Sequence, residues 1–207
     1  MSPVGLVLAA GAGRRLGLGP KALLRRGSAT LVETAVETLL AGGCSRVIVV
    51  TGAGAAAVTD LLNDHPRVAL AHNPDWETGM GSSLRCGLLA AEPDRGVLVV
   101  PVDRPGLTVA EVARVIAANR PGAITAAAHR DRSGRLRRGH PVLFDSRWVG
   151  PAAASAHDDV GARDLLATVP DIVALIDCSD LDDGRDIDVP ADWEGVGAAE
   201  QDATSPE

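Results

Sequence analysis

The stretch VLAAGAGRRLGLGPKALL, residues 7–24, is the part of the chain that decides the fold. It begins as an apolar β-strand and continues into glycines, two arginines and a lysine. Lys21 is the only lysine of a chain that has nineteen arginines. Glycines after a strand let backbone N–H groups approach an anion, so the stretch predicts a phosphate-binding loop. A solvated basic loop is the alternative.

Neither of the two standard nucleotide motifs fits this loop. The glycines stand at positions 11, 13, 17 and 19, so no G-x-G-x-x-G opens a helix, and no acidic residue ends the second strand. The Walker pattern fails because Ala22 follows Lys21 where Ser or Thr is required. What remains is a long loop with Arg14, Arg15 and Lys21 at the carboxyl end of a strand, where open α/β sheets bind ligands.

Apolar runs and helical stripes alternate outward from this loop. The apolar runs predict strands at Val4–Ala10, Arg46–Thr51, Val97–Val100, Ala123–Ala127 and Ile172–Ile176. Helices are predicted at Thr30–Ala41 and Val109–Ala118, and each opens with a capping-box spacing, Thr30 with Glu33 and Thr108 with Glu111. The pattern predicts a three-layer α/β/α fold with a mostly parallel sheet. The basic loop 129–139 and a short strand Pro141–Phe144 predict an antiparallel edge element.

Composition restricts the function classes. A chain of 207 residues predicts one domain, residues 1–195, followed by a disordered acidic tail, 196–207. With no Tyr and one Phe the chain lacks stacking platforms, so we expect no nucleic-acid partner. No apolar run approaches a membrane span, no signal peptide is evident, and three scattered cysteines fit a reducing compartment, so the cytoplasm is expected. The N-terminal part of the chain is basic and the C-terminal part is acidic. A basic surface of this kind suits the binding of an anionic small molecule.

Carboxylate side chains lie in two later segments of the chain, each interpreted as the end of a strand. Asp103 lies in VLVVPVDRPGL (97–107), and Asp186 and Asp188 lie in RDIDVPADW (185–193), where strand alternation puts them on one face. One or two carboxylates facing a phosphate loop suit Mg²⁺. The five histidines have no metal-binding spacing, which makes a zinc site improbable. Ser82 and Ser83 are interpreted as the N-cap of a helix ending near Ala91.

The chain resembles the MobA/MocA-like nucleotidyltransferases, most closely the molybdenum cofactor cytidylyltransferase branch. The resemblance covers about residues 4 to 193. The matching stretches, in the family's order, are VLAAGAGRRLG with PKALL, VTGAG, HNPDWETGMGSSLRCGL, VDRPGLT, GHPVLF, DDVGARDLL and DIDVPADW. It implies the nucleotide-diphospho-sugar transferase fold.

The resemblance also implies roles for particular residues. The loop Ala9, Ala10, Gly11, Ala12 and Gly13 would hold a nucleoside triphosphate (NTP), with Lys21 and Arg15 as the catalytic cations. Asp103, also catalytic, and Asp188 would be the Mg²⁺ ligands. Asn73, Gly79, Ser82 and Ser83 would lie near the base and ribose, and His140 and Pro141 would face the acceptor.

The implied reaction moves a nucleotidyl group from an NTP to a phosphorylated small molecule such as molybdopterin. Ala10 favours CTP over GTP, and a cofactor-receiving enzyme is a candidate partner. Two alternatives stay open: a nicotinamide-dependent oxidoreductase acting on an alkaloid pigment, and a non-catalytic cofactor chaperone. The sequence departs from the family pattern at Arg104, where Gln or Met is common, and at Asp158, which is usually Gly.

Overall fold

The computed structural model describes residues 1–193, in which helices cover both faces of one sheet. The strands of this part of the chain are β1 (Val4–Leu8), β2 (Arg25–Arg26), β3 (Ala29–Thr30), β4 (Val47–Thr51), β5 (Val68–His72), β6 (Val97–Pro101), β7 (Ile124–Arg130), β8 (Leu136–Phe144) and β9 (Val173–Asp177). The α-helices are α1 (Leu31–Ala41), α2 (Ala55–Leu62), α3 (Met80–Leu89), α4 (Val109–Ala118), α5 (Ser146–Ser155) and α6 (Arg163–Thr168).

The main sheet has seven strands in the order β5-β4-β1-β6-β8-β7-β9. β1 pairs in parallel with β4 on one side and with β6 on the other. In this sheet β8 runs antiparallel to its neighbours β6 and β7, while β9 is parallel to β7. The predicted α/β class is confirmed, as is its mostly parallel sheet with an antiparallel element. That element is inserted next to β6, and β9 forms the edge on that side.

Two apolar layers hold the helices on the sheet. One contains the buried faces of α1, α2 and α4, and the other contains those of α3, α5 and α6. Every residue of β1 is buried, and its side chains alternate between the layers, with Leu6 in one and Val7 in the other. Burial on both faces explains why these strands have continuous apolar sequences.

Of the two predicted capping boxes, the one at α1 is complete and the one at α4 is only half formed. At α1 the box is complete, because Glu33 N donates to Thr30 Oγ1 at 3.3 Å and Thr30 N donates to Glu33 Oε2 at 2.7 Å. At α4, Glu111 N donates to Thr108 Oγ1 at 3.1 Å. The Glu111 carboxylate, however, is fully buried against Arg104 instead of turning back to the cap. Half of the second box is therefore replaced by a tertiary contact.

The basic segment 129–139 is a hairpin, so the prediction of a loop is confirmed for residues 131–135 and was wrong for the residues on either side. β7 continues to Arg130 and β8 starts at Leu136, since the two strands keep pairing beyond the buried part of the sheet. The predicted tail 196–207, like the last residues of the predicted domain, lies outside the described residues. Within residues 1–193, no helix is both long and apolar enough to cross a membrane.

Candidate active site

A cavity of about 360 Å³ opens at the carboxyl ends of β1 and β6. Its walls are the glycine-rich loop after β1, the turn before α3 and the residues that follow β6. It is lined by Leu8, Ala10, Gly11, Ala12, Gly13, Arg14, Arg15, Lys21, Trp76, Glu77, Gly79, Met80, Ser83, Pro101, Val102, Asp103 and Asp159. The sheet edge where parallel strands end is the usual ligand site of open α/β folds.

The glycine-rich loop folds back on itself before the chain reaches a helix. Gly13 has a φ of 64° and Gly17 a φ of 73°, values that favour glycine. Gly17 N donates to Gly13 O at 3.0 Å, and a Cβ at Gly13 would collide with the carbonyl oxygen of Gly19. A single 3-10 turn, Lys21–Leu23, then precedes β2, and α1 starts only at Leu31. This path explains why the dinucleotide motif, which needs a helix directly after its glycines, does not fit.

Lys21 joins the two predicted carboxylates in one ion-pair cluster. Its Nζ lies 2.7 Å from Asp103 Oδ2 and 3.0 Å from Asp188 Oδ1, and its side chain is only 13% exposed. Arg15 Nη2 lies 3.2 Å from the same Asp188 oxygen. Burial by itself would lower the pKa of Lys21, but hydrogen bonds and charge attraction from Asp103 and Asp188 raise it above the usual value. Lys21 is therefore a fixed cation between two carboxylates.

Asp188 reaches this cluster from an irregular segment and not from a strand. Ile187 N donates to the Asp103 carbonyl at 2.9 Å, and the Ile187 side chain is buried, so the segment is tied to the end of β6. The carboxylate of Asp192 accepts from Asp188 N at 2.9 Å. This segment forms no strand, so strand alternation does not apply. Asp186 lines a different cavity, yet burial and the nearby charges of Asp103 and Asp188 raise its pKa to about 6, so its carboxylate lies within electrostatic range of the cluster.

The opposite wall is built around the N-terminus of α3. The helix begins at Met80 with Gly79 as its N-cap, so the prediction of Ser82 and Ser83 as the cap was wrong. The buried Asn73 side chain donates to Ser82 Oγ at 2.9 Å and to Ser83 Oγ at 3.0 Å. Gly79 and Ser83 line the cavity, whereas Asn73 and Ser82 stand behind it.

Residues 157–159 close this wall and explain its glycines. Gly81 N donates to the Asp158 carbonyl at 2.6 Å, and a Cβ at Gly81 would lie 2.5 Å from the backbone of His157. Asp158 itself has a φ of 43°, a left-handed conformation that favours glycine. The family's usual Gly at this position therefore has a backbone reason. Asp159, which follows, lines the cavity.

Besides Asn73 and Ser82, the predicted residues Ala9, His140 and Asp188 are outside the cavity lining. Ala9 is fully buried in the core beneath the loop. The His140 carbonyl accepts a hydrogen bond from Arg104. Burial, together with Arg104 and Arg138, lowers the pKa of the His140 imidazole to about 4.

Sequence reasoning named Arg14 in the loop but did not name Glu77, Met80 or Asp159 as lining side chains. Arg14 Nη2 lies 2.6 Å from Glu77 Oε1, and the Arg14 guanidinium lies 5.9 Å from the centroid of the Trp76 ring. These contacts connect the glycine-rich loop to the turn before α3. Glu77, Met80 and Asp159 had no local signal, because only the folded chain brings them to the cavity.

Similarity to known proteins agrees with this geometry. The family model of the MobA-like NTP transferase domain matches residues 5–173. The nicotine blue oxidoreductase of Paenarthrobacter nicotinovorans is 48% identical over 187 residues, which are 89% of this chain and 91% of that protein.

Two solved nucleotidyltransferases share the fold. A nucleotidyl transferase from Methanothermobacter superposes with a TM-score of 0.82 at 21% identity, covering 97% of this chain and 98% of its own. The 2-C-methyl-D-erythritol 4-phosphate cytidylyltransferase of Thermus thermophilus gives a TM-score of 0.71 at 20% identity, covering 97% of this chain and all of its own. With the family match over most of its length, the chain belongs to the MobA-like NTP transferase domain family.

Proposed function

We propose that this protein transfers a nucleotidyl group from an NTP to a phosphorylated small-molecule acceptor and releases pyrophosphate. The observation that carries the proposal is the cluster in which Lys21 Nζ bridges Asp103 and Asp188 beside a glycine-rich loop. This arrangement brings together backbone N–H groups that can bind an anion, two cationic side chains and two carboxylates. All of them lie at the carboxyl ends of parallel strands. Family membership supports the same reaction class.

In the reaction an oxygen of the acceptor phosphate attacks the α-phosphorus of the NTP. The bond from that phosphorus to the oxygen bridging the α- and β-phosphates breaks, and pyrophosphate leaves with the bonding electrons. Gly11, Ala12 and Gly13 bind the phosphates, while Lys21 and Arg15 offset the charge that grows on the leaving group. Such chemistry depends on positioning and electrostatics, with little covalent work for the protein.

The ion pairs that Lys21 makes without a bound nucleotide indicate a second role for this residue. Without a triphosphate, its ammonium binds both Asp103 and Asp188, and Arg15 adds a second positive charge beside Asp188. A long side chain with a single mobile charge can leave the carboxylates and follow a phosphate oxygen, whereas the planar guanidinium of an arginine is less adaptable. This accounts for the one lysine in a chain of arginines.

The donor set fits Mg²⁺. Asp103 and Asp188 offer two carboxylates whose side chains are 20% and 44% exposed, which leaves room for phosphate oxygens and water. When bound, the ion would neutralise charge on the reacting phosphates. Asp103 is held by the end of β6 and Asp188 by the backbone bond from Ile187 to the Asp103 carbonyl, so both carboxylates are fixed relative to one strand.

CTP is the proposed donor, GTP is the alternative, and molybdopterin is the proposed acceptor. Ala10 lines the cavity, and its Cβ would lie 2.9 Å from a Cβ at Gly52, so the backbone of β4 approaches closely at this point. A Cβ at Gly52 would also lie 2.6 Å from Trp76. The preference for cytosine rests on Ala10, where the resemblance to the family favours CTP over GTP.

A second candidate is a nicotinamide-dependent oxidoreductase, and a specific observation favours it. The relative that is 48% identical carries the name nicotine blue oxidoreductase. Hydride transfer to a conjugated pigment would use the same glycine-rich loop to hold a dinucleotide pyrophosphate. Against it, β4 ends at Thr51 and continues into Gly52, so no carboxylate stands where a ribose hydroxyl is usually bound.

One experiment separates the candidates. Pyrophosphate release is measured with CTP, GTP, ATP and UTP in Mg²⁺ and molybdopterin, and NADH and NADPH oxidation with a quinone-imine pigment is followed at 340 nm. Transfer predicts pyrophosphate release that falls by a factor of ~100 or more in Asp103→Ala. Full activity of that variant would sink the assignment, and NTP binding without pyrophosphate release would indicate a carrier or chaperone.

A further inference from the structure

A second cluster of metal-ligating groups lies outside the candidate active site. Glu111 of α4, His129 of β7 and Asp182 after β9 each place one ligand atom within 4.8 Å of the others. Glu111 is 0% exposed and His129 is 6% exposed. None of the three lines the cavity around Lys21. The cluster is independent of the proposed transfer reaction.

Two ligand atoms of this cluster are buried without a hydrogen bond. Within residues 1–193, Glu111 Oε1 and His129 Nε2 lie 3.0 Å apart, yet neither has a hydrogen-bond partner. Buried polar atoms without partners are rare and costly. Two ligands that each bind one Zn²⁺ ion at about 2.1 Å stand about 3.4 Å apart in tetrahedral geometry, so the two atoms need to separate by only about 0.4 Å to share an ion. The observed separation fits atoms that share a third partner.

Arg104 leaves these atoms free by binding the other oxygens. Its Nη2 donates to Asp182 Oδ2, and to Glu111 Oε2 at 3.4 Å. The guanidinium is 1% exposed and contacts both carboxylates, so two acidic groups share one buried cation. An unbalanced buried charge is unfavourable, and a divalent cation would compensate it.

The surroundings hold the imidazole in place and give a cation a route to it. A Cβ at Gly184 would lie 2.5 Å from His129 Nδ1, and one at Gly139 would lie 3.3 Å from it, so the ring packs where only glycines leave space. Asp182 also lines a second cavity of about 400 Å³, whose other acidic residues are Asp183, Asp186 and Asp192. Acidic walls concentrate cations at such an opening.

We propose that Glu111, His129 and Asp182 form a binding site for a divalent transition metal ion of the Zn²⁺ class. One imidazole nitrogen with two carboxylates suits such an ion, whereas Mg²⁺ prefers oxygen ligands. The ion would tie α4, β7 and the segment after β9 together. That segment continues to Asp188, so the metal would fix the chain that delivers this carboxylate to Lys21.

The first test is metal binding by the full chain. Protein stripped with a chelator is titrated with Zn²⁺ in millimolar Mg²⁺, which saturates sites built from oxygen, and bound zinc is counted by mass spectrometry. We expect one equivalent. Co²⁺ in its place should give visible d–d bands without a thiolate charge-transfer band, because Cys44, Cys86 and Cys178 are not ligands. No tight zinc, or a thiolate band, would overturn the proposal.

The second test places the metal. His129→Gln and Glu111→Gln should each weaken Zn²⁺ binding by at least about 100-fold. Removing a residue that only hydrogen-bonds to a metal ligand costs up to about 100-fold, so the loss of a ligand itself should cost at least as much. His157→Gln is the matched control, because His157 lies 3.3 Å from Asp158 and 3.5 Å from Asp164 but is 55% exposed. It should bind Zn²⁺ like the wild type. Loss in the control, or unchanged affinity in His129→Gln, refutes the site.

A measurement on the wild-type chain covers the case in which the variants do not fold. Hydrogen–deuterium exchange with and without Zn²⁺ should show slower exchange in residues 109–118, 124–130 and 178–188 together. Protection that is confined to the loop around Lys21, or to residues 157–164, would place the ion elsewhere and overturn the proposal.

Discussion

Replacing Lys21 with methionine should tighten Mg²⁺ binding to the nucleotide-free protein while it lowers turnover. Nζ lies 2.7 Å from Asp103 Oδ2 and 3.0 Å from Asp188 Oδ1. The ammonium therefore occupies the space between the carboxylates that a metal ion needs. Methionine keeps an aliphatic chain of similar length and removes the charge, so Asp103 loses this cation and Asp188 is left with Arg15 until a metal ion binds.

The size of the effect follows from the geometry. The two oxygens are at most about 5.7 Å apart, since both contact one nitrogen, and at an effective dielectric constant of about 20 they repel by about 3 kcal/mol. Asp188 is 44% exposed, so solvent screening reduces this repulsion to about 1 kcal/mol. Its relief by a bound cation corresponds to about five-fold tighter binding, before the loss of competition from the ammonium is counted.

Isothermal titration with MgCl₂, and with MnCl₂ as a second ion, measures this affinity without nucleotide. Lys21→Arg is the matched control, because it keeps the positive charge and should bind Mg²⁺ like the wild type. Its turnover should nonetheless fall, since a planar guanidinium cannot follow one phosphate oxygen as an ammonium does. Equal or weaker Mg²⁺ binding by Lys21→Met would refute the reasoning, and a fully active Lys21→Arg would remove the special role of lysine.

Two further predictions concern stability. Gly87→Ala places a Cβ against Leu6 of β1, which is buried, and should cost about 1–3 kcal/mol in urea unfolding. Gly150→Ala in α5 has nothing within 4 Å, but Pro151 follows it and opposes the helical gain from alanine, so its midpoint should stay close to the wild type; equal midpoints for the two variants would contradict this packing. Thr30→Ala should cost about 1 kcal/mol at pH 7. Backbone and side-chain hydrogen bonds from Thr30 lower the pKa of Glu33, so this contribution is present above the ordinary carboxyl pKa and is lost as the pH falls through the lowered one. The gap between wild type and Thr30→Ala in pH-dependent unfolding should therefore narrow in acid, and a gap that widens there would count against the box.

Local sequence patterns determined the fold class, and they predicted where the candidate active site would lie. Continuous apolar strands, helical stripes and the α1 capping box each depend on neighbours in the chain, and the structure has them where the pattern predicts. The position of Lys21 and Asp103 just after two adjacent parallel strands was also predictable, because such strands end at the same edge of a sheet. The glycine spacing correctly excluded a dinucleotide motif, since the loop does not open a helix.

Tertiary structure alone decided how the remaining groups meet. Asp188 joins Lys21 across 167 positions because Ile187 is buried and tied to the end of β6, and no local rule separates it from Asp186, which lines a different cavity. Glu111 carries a capping-box spacing yet turns into the interior, because Arg104 and His129 lie there once β7 and the segment after β9 are in place. Spacing in sequence describes contacts within one helix or strand. Sheet order and chain path determine which of these elements face each other, and that arrangement depends on burial over the whole molecule.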